Sequence, residues 1–238
     1  MTTYVYGIAR RDHGRLPERM GGIGDPPCPV RTVEQGDLVA LVSDAPQELR
    51  PKRRDLLAHQ NVLAEAGAGG PVLPMRFGGV SPDDDAVRAV LAEHEKRYLE
   101  RLEALDGKVE YNVKATHDEE AVLHQVLAEN AELRAMSDAN RKAGGGTYEQ
   151  KLRLGERIAA AVQQREATDA VLVERTLESA CEERSPGPQS TGWLANISFL
   201  VSREHAAEFV AAVDTLRERA PHLVLQVHGP LPPYSFTG

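Results

Sequence analysis

The chain has 238 residues, 41% of them hydrophobic and 27% charged, with a net charge of −8 at neutral pH. That composition belongs to an ordinary globular protein long enough to bury a core in one or two domains. It excludes a membrane-spanning helix, because no apolar run approaches the ~18 residues a span needs. It also argues against nucleic-acid binding, because the net field repels phosphate and the 11 aromatic residues are not interleaved with Lys or Arg.

Thr3 to Ala9 alternate with strong β formers and read as a first strand. The Met-Thr-Thr-Tyr start lacks a basic, long-apolar leader, so a cytoplasmic location is expected. Residues 10–29 are charged and rich in Gly and Pro, and read as a flexible loop. Gly21-Gly22-Ile23-Gly24 within it lacks the helix and the Lys-Ser/Thr of a phosphate-binding loop. Val30–Val33 and Leu38–Val42 flank Gly36 and form a predicted hairpin.

Pro51 opens a helix to about Ala66 with Leu56, Leu57, His59, Gln60 and Leu63 at helical spacing. Lys52, Arg53 and Arg54 in its first turn oppose the helix dipole and offer an anion or acidic-partner site, although a solvated basic face explains them more simply. Gly70-Pro-Val-Leu-Pro-Met-Arg-Phe-Gly-Gly79 is a short β-favouring run between two helices. Pro74 favours an edge or a bulge. Arg76, the only charge in the run, is expected to clamp a carboxylate or a carbonyl where the strand hands over to the next helix.

Ser81-Pro82-Asp83-Asp84-Asp85 reads as a helix start with Ser81 as cap, and the helix runs with His94 on its stripe to Asp106-Gly107. Val109 to Lys114 alternates as a strand, and a helix begins at Glu119 with Val122, Leu123, Val126, Leu127, Asn130 and Leu133 as its stripe. His117 and His124 are seven apart but have no third ligand placed with them, so no metal is expected. Residues 141–147 form a break, after which a charged helix from Tyr148 to about Arg184 carries Leu154, Ile158, Val162, Leu172, Leu177 and Cys181 as an intermittent seam. A helical hairpin packed along one side is expected over about 118–184.

Ser185 to Gly192 ends that helix, and Trp193–Val201 is the strongest strand in the chain. Ser202 caps a helix whose expected core face is Ala206, Phe209, Val210, Val213 and Leu216, and Leu223–Val227 returns as a strand, completing a β-α-β unit. The tail 229–238 holds three closely spaced prolines and is expected to lie across another surface, anchored by Tyr234 and Phe236. The whole reads as α+β in two small domains, 1–107 and 108–238, each a sheet with helices on one side and without an internal sequence repeat. Cys28 and Cys181 match no metal or redox spacing.

Five stretches in this order resemble the gas vesicle protein L/F family: Tyr4-Val-Tyr-Gly-Ile8, Val72-Leu-Pro-Met-Arg-Phe-Gly78, Glu110-Tyr-Asn-Val-Lys114, Trp193-Leu-Ala-Asn-Ile-Ser-Phe-Leu-Val201 and Gly229-Pro-Leu-Pro-Pro-Tyr-Ser-Phe236. The family's closing motif more often has Trp at the place of Leu231. The resemblance implies a ferredoxin-like N-terminal domain and a mixed C-terminal α/β unit with a long helical hairpin. It further implies a minor protein of gas vesicle assembly, located in the cytoplasm or at the vesicle. Such a protein binds the small hydrophobic shell subunit and other gas vesicle proteins, without catalysis or cofactor. Candidate partner contacts are Lys52, Arg53, Arg54, Arg76, Phe77, Tyr234 and Phe236, with the N-terminal sheet edge and the 10–29 loop as the expected receiving surface. The alternatives are an anion-binding regulatory α+β module built on Lys52, Arg53 and Arg54, and an enzyme using His59 or His94 as a base.

Overall fold

The structure is a computed structural model, and it describes residues 2–14, 16–17, 19–188 and 192–238. Arg15 and Glu18 of the predicted 10–29 loop, and Gln189, Ser190 and Thr191 of the predicted 185–192 break, lie outside the described residues. The chain divides into two compact units, Met1–Glu110 with Pro230–Gly238, and Tyr111–Gly229. The expected boundary at 107/108 therefore falls a few residues later, and the tail belongs to the first unit instead of the second.

In the first unit the strands are β1 (Thr3–Arg10), β2 (Arg31–Gln35), β3 (Leu38–Asp44), β4 (Val72–Pro74) and β5 (Val80–Ser81). The sheet order is β2-β3-β1-β4, with β5 also on β1 and every pairing antiparallel. This is the order of a ferredoxin-like sheet, with one change: the first crossover is a loop where that fold has a helix. Met20 and Ile23 of the loop are buried with Tyr4, Tyr6, Val39 and Leu41 and with Val62, Leu63 and Ala66 of helix α1 (Arg53–Gly69). The expectation of a flexible loop is overturned for this part, because its backbone is hydrogen-bonded into the core. Ile23 N–H donates to the Tyr6 hydroxyl at 2.9 Å, and Gly24 N–H to Asp55 Oδ1 at 3.0 Å. Gly22 is obligatory there, since a Cβ would lie 2.0 Å from the Tyr6 oxygen.

Leu38, Ala40 and Val42 point to the opposite face of β3 and are buried as well. There α2 (Asp84–Glu93) packs on β2 and β3, and α3 (Glu95–Ala104) on β1 and β4. The first sheet is thus covered on both faces, not on one. The predicted 82–105 helix is broken at His94, whose φ of −112° and ψ of 15° leave the helical region. Its N-cap is Asp83, accepting from Ala86 N–H at 2.8 Å, because Ser81 is taken up by β5. Along α1 the predicted stripe is rotated. Asp55, His59, Val62, Leu63 and Ala66 are buried, whereas Leu56 and Leu57 are exposed.

The second unit holds β6 (Lys108–His117), β7 (Glu183–Pro186), β8 (Ala195–Ser202) and β9 (Leu223–Leu231), in the order β7-β8-β6-β9. Numbered within their own unit, these strands repeat the first unit's order. β6 lies between β8 and β9, so the predicted β-α-β unit through α7 (Ala206–Arg219) is split by another strand. The first crossover here carries α4 (Glu119–Glu129), α5 (Ala131–Lys142) and α6 (Tyr148–Glu178). Gly144, Gly145 and Gly146, all at positive φ, reverse the chain between α5 and α6, and Thr147 and Gln150 close a capping box. With 31 residues, α6 is about 46 Å long at 1.5 Å per residue. It stops at Glu178, short of the predicted Arg184. The next residues join the sheet edge, with Glu182 N–H on Leu200 C=O at 2.9 Å. No helix among the described residues is long and apolar enough to cross a membrane.

Candidate functional sites

In the first unit, the 70–79 stretch is an edge strand interrupted by a bulge. Gly7 pairs with Pro74 and Tyr4 with Val80, so three steps along β1 face six along the edge and three residues are extruded. Pro74 closes β4, where a ladder donor is dispensable. The bulge is held by a buried relay. Gly78 N–H donates to the Tyr4 hydroxyl at 3.3 Å, and Tyr4 O–H contacts His59 Nδ1 at 2.8 Å. His59 Nε2 in turn lies 3.0 Å from Met75 C=O. Because a carbonyl only accepts, Nε2 carries the proton and Nδ1 accepts from Tyr4. Burial lowers the His59 pKa and raises that of Tyr4, which keeps both neutral. With both nitrogens engaged, His59 is a structural residue and not a free base.

The predicted partner contacts separate into two groups. Arg76 is exposed, and among the described residues its guanidinium has no carboxylate or carbonyl partner, so the expected clamp does not form. The handover to α2 is made by Arg31 instead, whose two terminal nitrogens reach Asp84 at 2.6 and 3.0 Å, with Thr3 adding a bond of 2.7 Å. The Arg31 hydrogen bonds, then that from Thr3, hold the Asp84 carboxyl below its usual range. Lys52 and Arg53 are exposed, while Arg54 meets Asp25 at 2.5 Å and Asp55 at 3.5 Å. The basic first turn is therefore not a cluster of three free cations.

Phe77, Tyr234 and Phe236 turn inward. Phe77 is half-buried, with its ring centroid 5.9 Å from those of both Tyr4 and His59. Tyr234 packs on the same cluster, and burial pushes its pKa up to about 12. Phe236 is 2% exposed, with its carbonyl accepting from Arg101 Nε. Buried Glu110 accepts from Ser235 N–H and Oγ–H, each at 2.8 Å. The tail does lie on a surface, as expected, and that surface belongs to the first unit of its own chain. In this arrangement Phe236 is closed to a partner.

The second unit holds a cluster that the sequence did not reveal. His117 ends β6, His222 precedes β9, and Asp169 lies on α6. Nε2 of His117 and of His222 stand 2.9 and 2.8 Å from the same oxygen, Asp169 Oδ2. Arg165, one turn away, reaches both Asp169 oxygens through Nε at 3.1 and 3.0 Å, and Glu129 through Nη1 at 2.9 and 2.7 Å. The Asp169, His117 and His222 side chains are 1%, 7% and 3% exposed. Burial raises the Asp169 pKa, but hydrogen bonds from His117, Arg165 and His222 outweigh it and leave the carboxyl below its ordinary value. The signal was the gap in the predicted α6 seam between Val162 and Leu172. The buried face runs instead through Asp169, Val173 and Leu177, with Leu172 exposed. A carboxylate at core register requires partners, but those partners stand more than fifty residues away on either side.

Cys181 lines a small cavity of about 250 Å³ with Ser202, His205 and Glu208. Burial, then Glu178 and Glu182, push its thiol up to about 11, away from the thiolate form that a nucleophile needs.

Comparison with known proteins places the chain. The family model of gas vesicle synthesis protein GvpL/GvpF matches residues 2–238. The chain is 73% identical over 236 residues to gas vesicle protein F of Streptomyces sp. (strain CB03234), covering 99% of each. It is 30% identical to gas vesicle protein L of the same strain over 256 residues, covering 99% of this chain and 92% of that one. The crystal structure of GvpF from Anabaena sp. PCC7120 superposes with a TM-score of 0.76 at 23% identity, covering 100% of this chain and 98% of that one. That of GvpF from Microcystis aeruginosa gives 0.73, also at 23% identity, covering 100% and 99%. The two crystal structures agree with the fold, and the sequence matches carry the assignment: this chain is a member of the gas vesicle protein GvpL/GvpF family.

Proposed function

We propose that this protein is a non-catalytic factor of gas vesicle assembly that holds the hydrophobic shell subunit through its N-terminal unit. The observation that carries the reading is the family match across residues 2–238. It acts in the cytoplasm, at the growing shell and with other gas vesicle proteins. An aggregation-prone client needs an apolar or hydrogen-bonding edge on a soluble body. Both faces of the first sheet are covered, which leaves its edges. The β4–β5 edge carries Val80, 53% exposed, beside Arg76, which is exposed and has no ion-pair partner among the described residues. The earlier candidate, the 10–29 loop, buries Met20 and Ile23 and offers less.

Co-purification from cells making both proteins tests the reading. The full chain is the proper bait, because a fragment ending at residue 107 lacks the tail that packs on the first unit. Val80→Lys and Arg76→Glu should each cut recovery of the shell subunit by on the order of tenfold, the equivalent of about 1.4 kcal/mol, with melting unchanged. Val210→Lys, at a comparably exposed position on α7 of the second unit, should not. Equal recovery with all three variants would contradict the proposed edge, and no recovery by the unaltered chain would contradict shell-subunit binding itself.

A further inference from the structure

We propose that His117, Asp169 and His222 form a binding site for one divalent transition metal ion of the zinc class, which fastens α6 to the sheet of the second unit. Each residue offers one ligand atom, and the three atoms lie within 4.8 Å of one another. Two imidazole nitrogens and a carboxylate oxygen are a donor set suited to zinc or cobalt, and a fourth position remains for water. The ligands come from three separate segments and are nine-tenths or more buried. The two histidine-bearing segments are also tied together beside the site. Asp118 N–H, next to His117, donates to the His222 carbonyl at 2.9 Å. Convergence of this kind is fixed by the backbone and not by mobile side chains.

Nδ1 of His117 and Nδ1 of His222 are buried without a partner among the described residues, so each can take the ring proton when Nε2 ligates, at the cost of a buried unpaired donor. When the ion enters, each Nε2 gives its lone pair to the metal and its proton moves to Nδ1. Tetrahedral bonds of about 2.0–2.1 Å set ligands roughly 3.3 Å apart, so the present spacings of 2.8 and 2.9 Å must open by about half an ångström. Arg165 is the competitor. It shares Asp169 Oδ2, and it must fall back on Oδ1 and on Glu129, which it already holds. A guanidinium so close to a divalent cation weakens binding, and this provides a test that a purely structural cluster would fail.

Untagged full-length protein, stripped with a chelator, is titrated with Zn²⁺ in equilibrium dialysis and with Co²⁺ in the visible spectrum. One ion per chain, with the absorption of tetrahedral cobalt, is expected. His117→Ala and His222→Ala should abolish both signals. Arg165→Gln should tighten binding by at least about tenfold, a gain that misfolding cannot produce. Should the histidine variants fail to fold, the Arg165→Gln comparison and the cobalt spectrum of the unaltered chain still decide. No uptake by either protein would overturn the site and leave a hydrogen-bonded latch only. Uptake that is indifferent to Arg165→Gln, or that survives loss of the histidines, would put the ion elsewhere and overturn it equally.

Discussion

His59 fixes the turn after β4 through both ring nitrogens, and the cost of protonating it is where chemistry at one residue meets the stability of the first unit. Burial lowers its folded pKa below the ordinary 6.5. As pH falls below 6.5 the unfolded chain takes up the proton first, so stability from this residue is complete above that value. It declines with acid until the folded pKa is reached. The urea midpoint of the unaltered chain should therefore fall between neutral pH and mildly acidic pH by more than that of His59→Gln. Parallel pH profiles would contradict the relay. At this scale the sequence was only partly legible. It gave His59 a place on a helical stripe but could not supply Tyr4 of β1 and Met75 of the turn after β4. Arg76 was misread for the same reason: a charge in an apolar run implies a partner, and only the bulge shows that the side chain has left the run for solvent.

Among the elements, the tail departs most from its expected assignment. β9 runs through Pro230 to Leu231, and Pro232 and Pro233 then end β-pairing, later than the sequence suggests; the aromatic residues after them need an apolar surface, which the sequence does convey. Which unit supplies the surface depends on Glu110, Arg101 and the cluster around Tyr4, all distant in sequence. Phe236→Ala should destabilise the protein by about 3–5 kcal/mol, as truncation of a buried aromatic does, measured by denaturant unfolding of the full chain. A loss under about 1 kcal/mol would mean that the tail is not seated there in solution. β1, β8, α7 and the helical hairpin over 118–184 were legible because their apolar residues follow the strand or helix period, although the break at Asn130 between α4 and α5 was not. β7 was not, since Glu183–Pro186 has a helix-forming, charged sequence and gains its strand geometry only by pairing with β8.

For the molecule as a whole, the two units repeat one strand order although neither the first-crossover loop nor the helical hairpin resembles the other in sequence. The octapeptides Gly70–Phe77 and Gly229–Phe236 share Gly, Pro, Pro and Phe at the same spacing, a likeness too short to stand out without the topology. Family membership, by contrast, was legible from motif order alone. The assembly role proposed for this chain requires that vesicles fail to form without it, and deletion in a vesicle-forming host measures that. Electron microscopy should show vesicles absent or sparse in the deletion strain and restored by the unaltered chain, with Val80→Lys restoring them poorly. Normal vesicles in the deletion strain would contradict an assembly role for this protein.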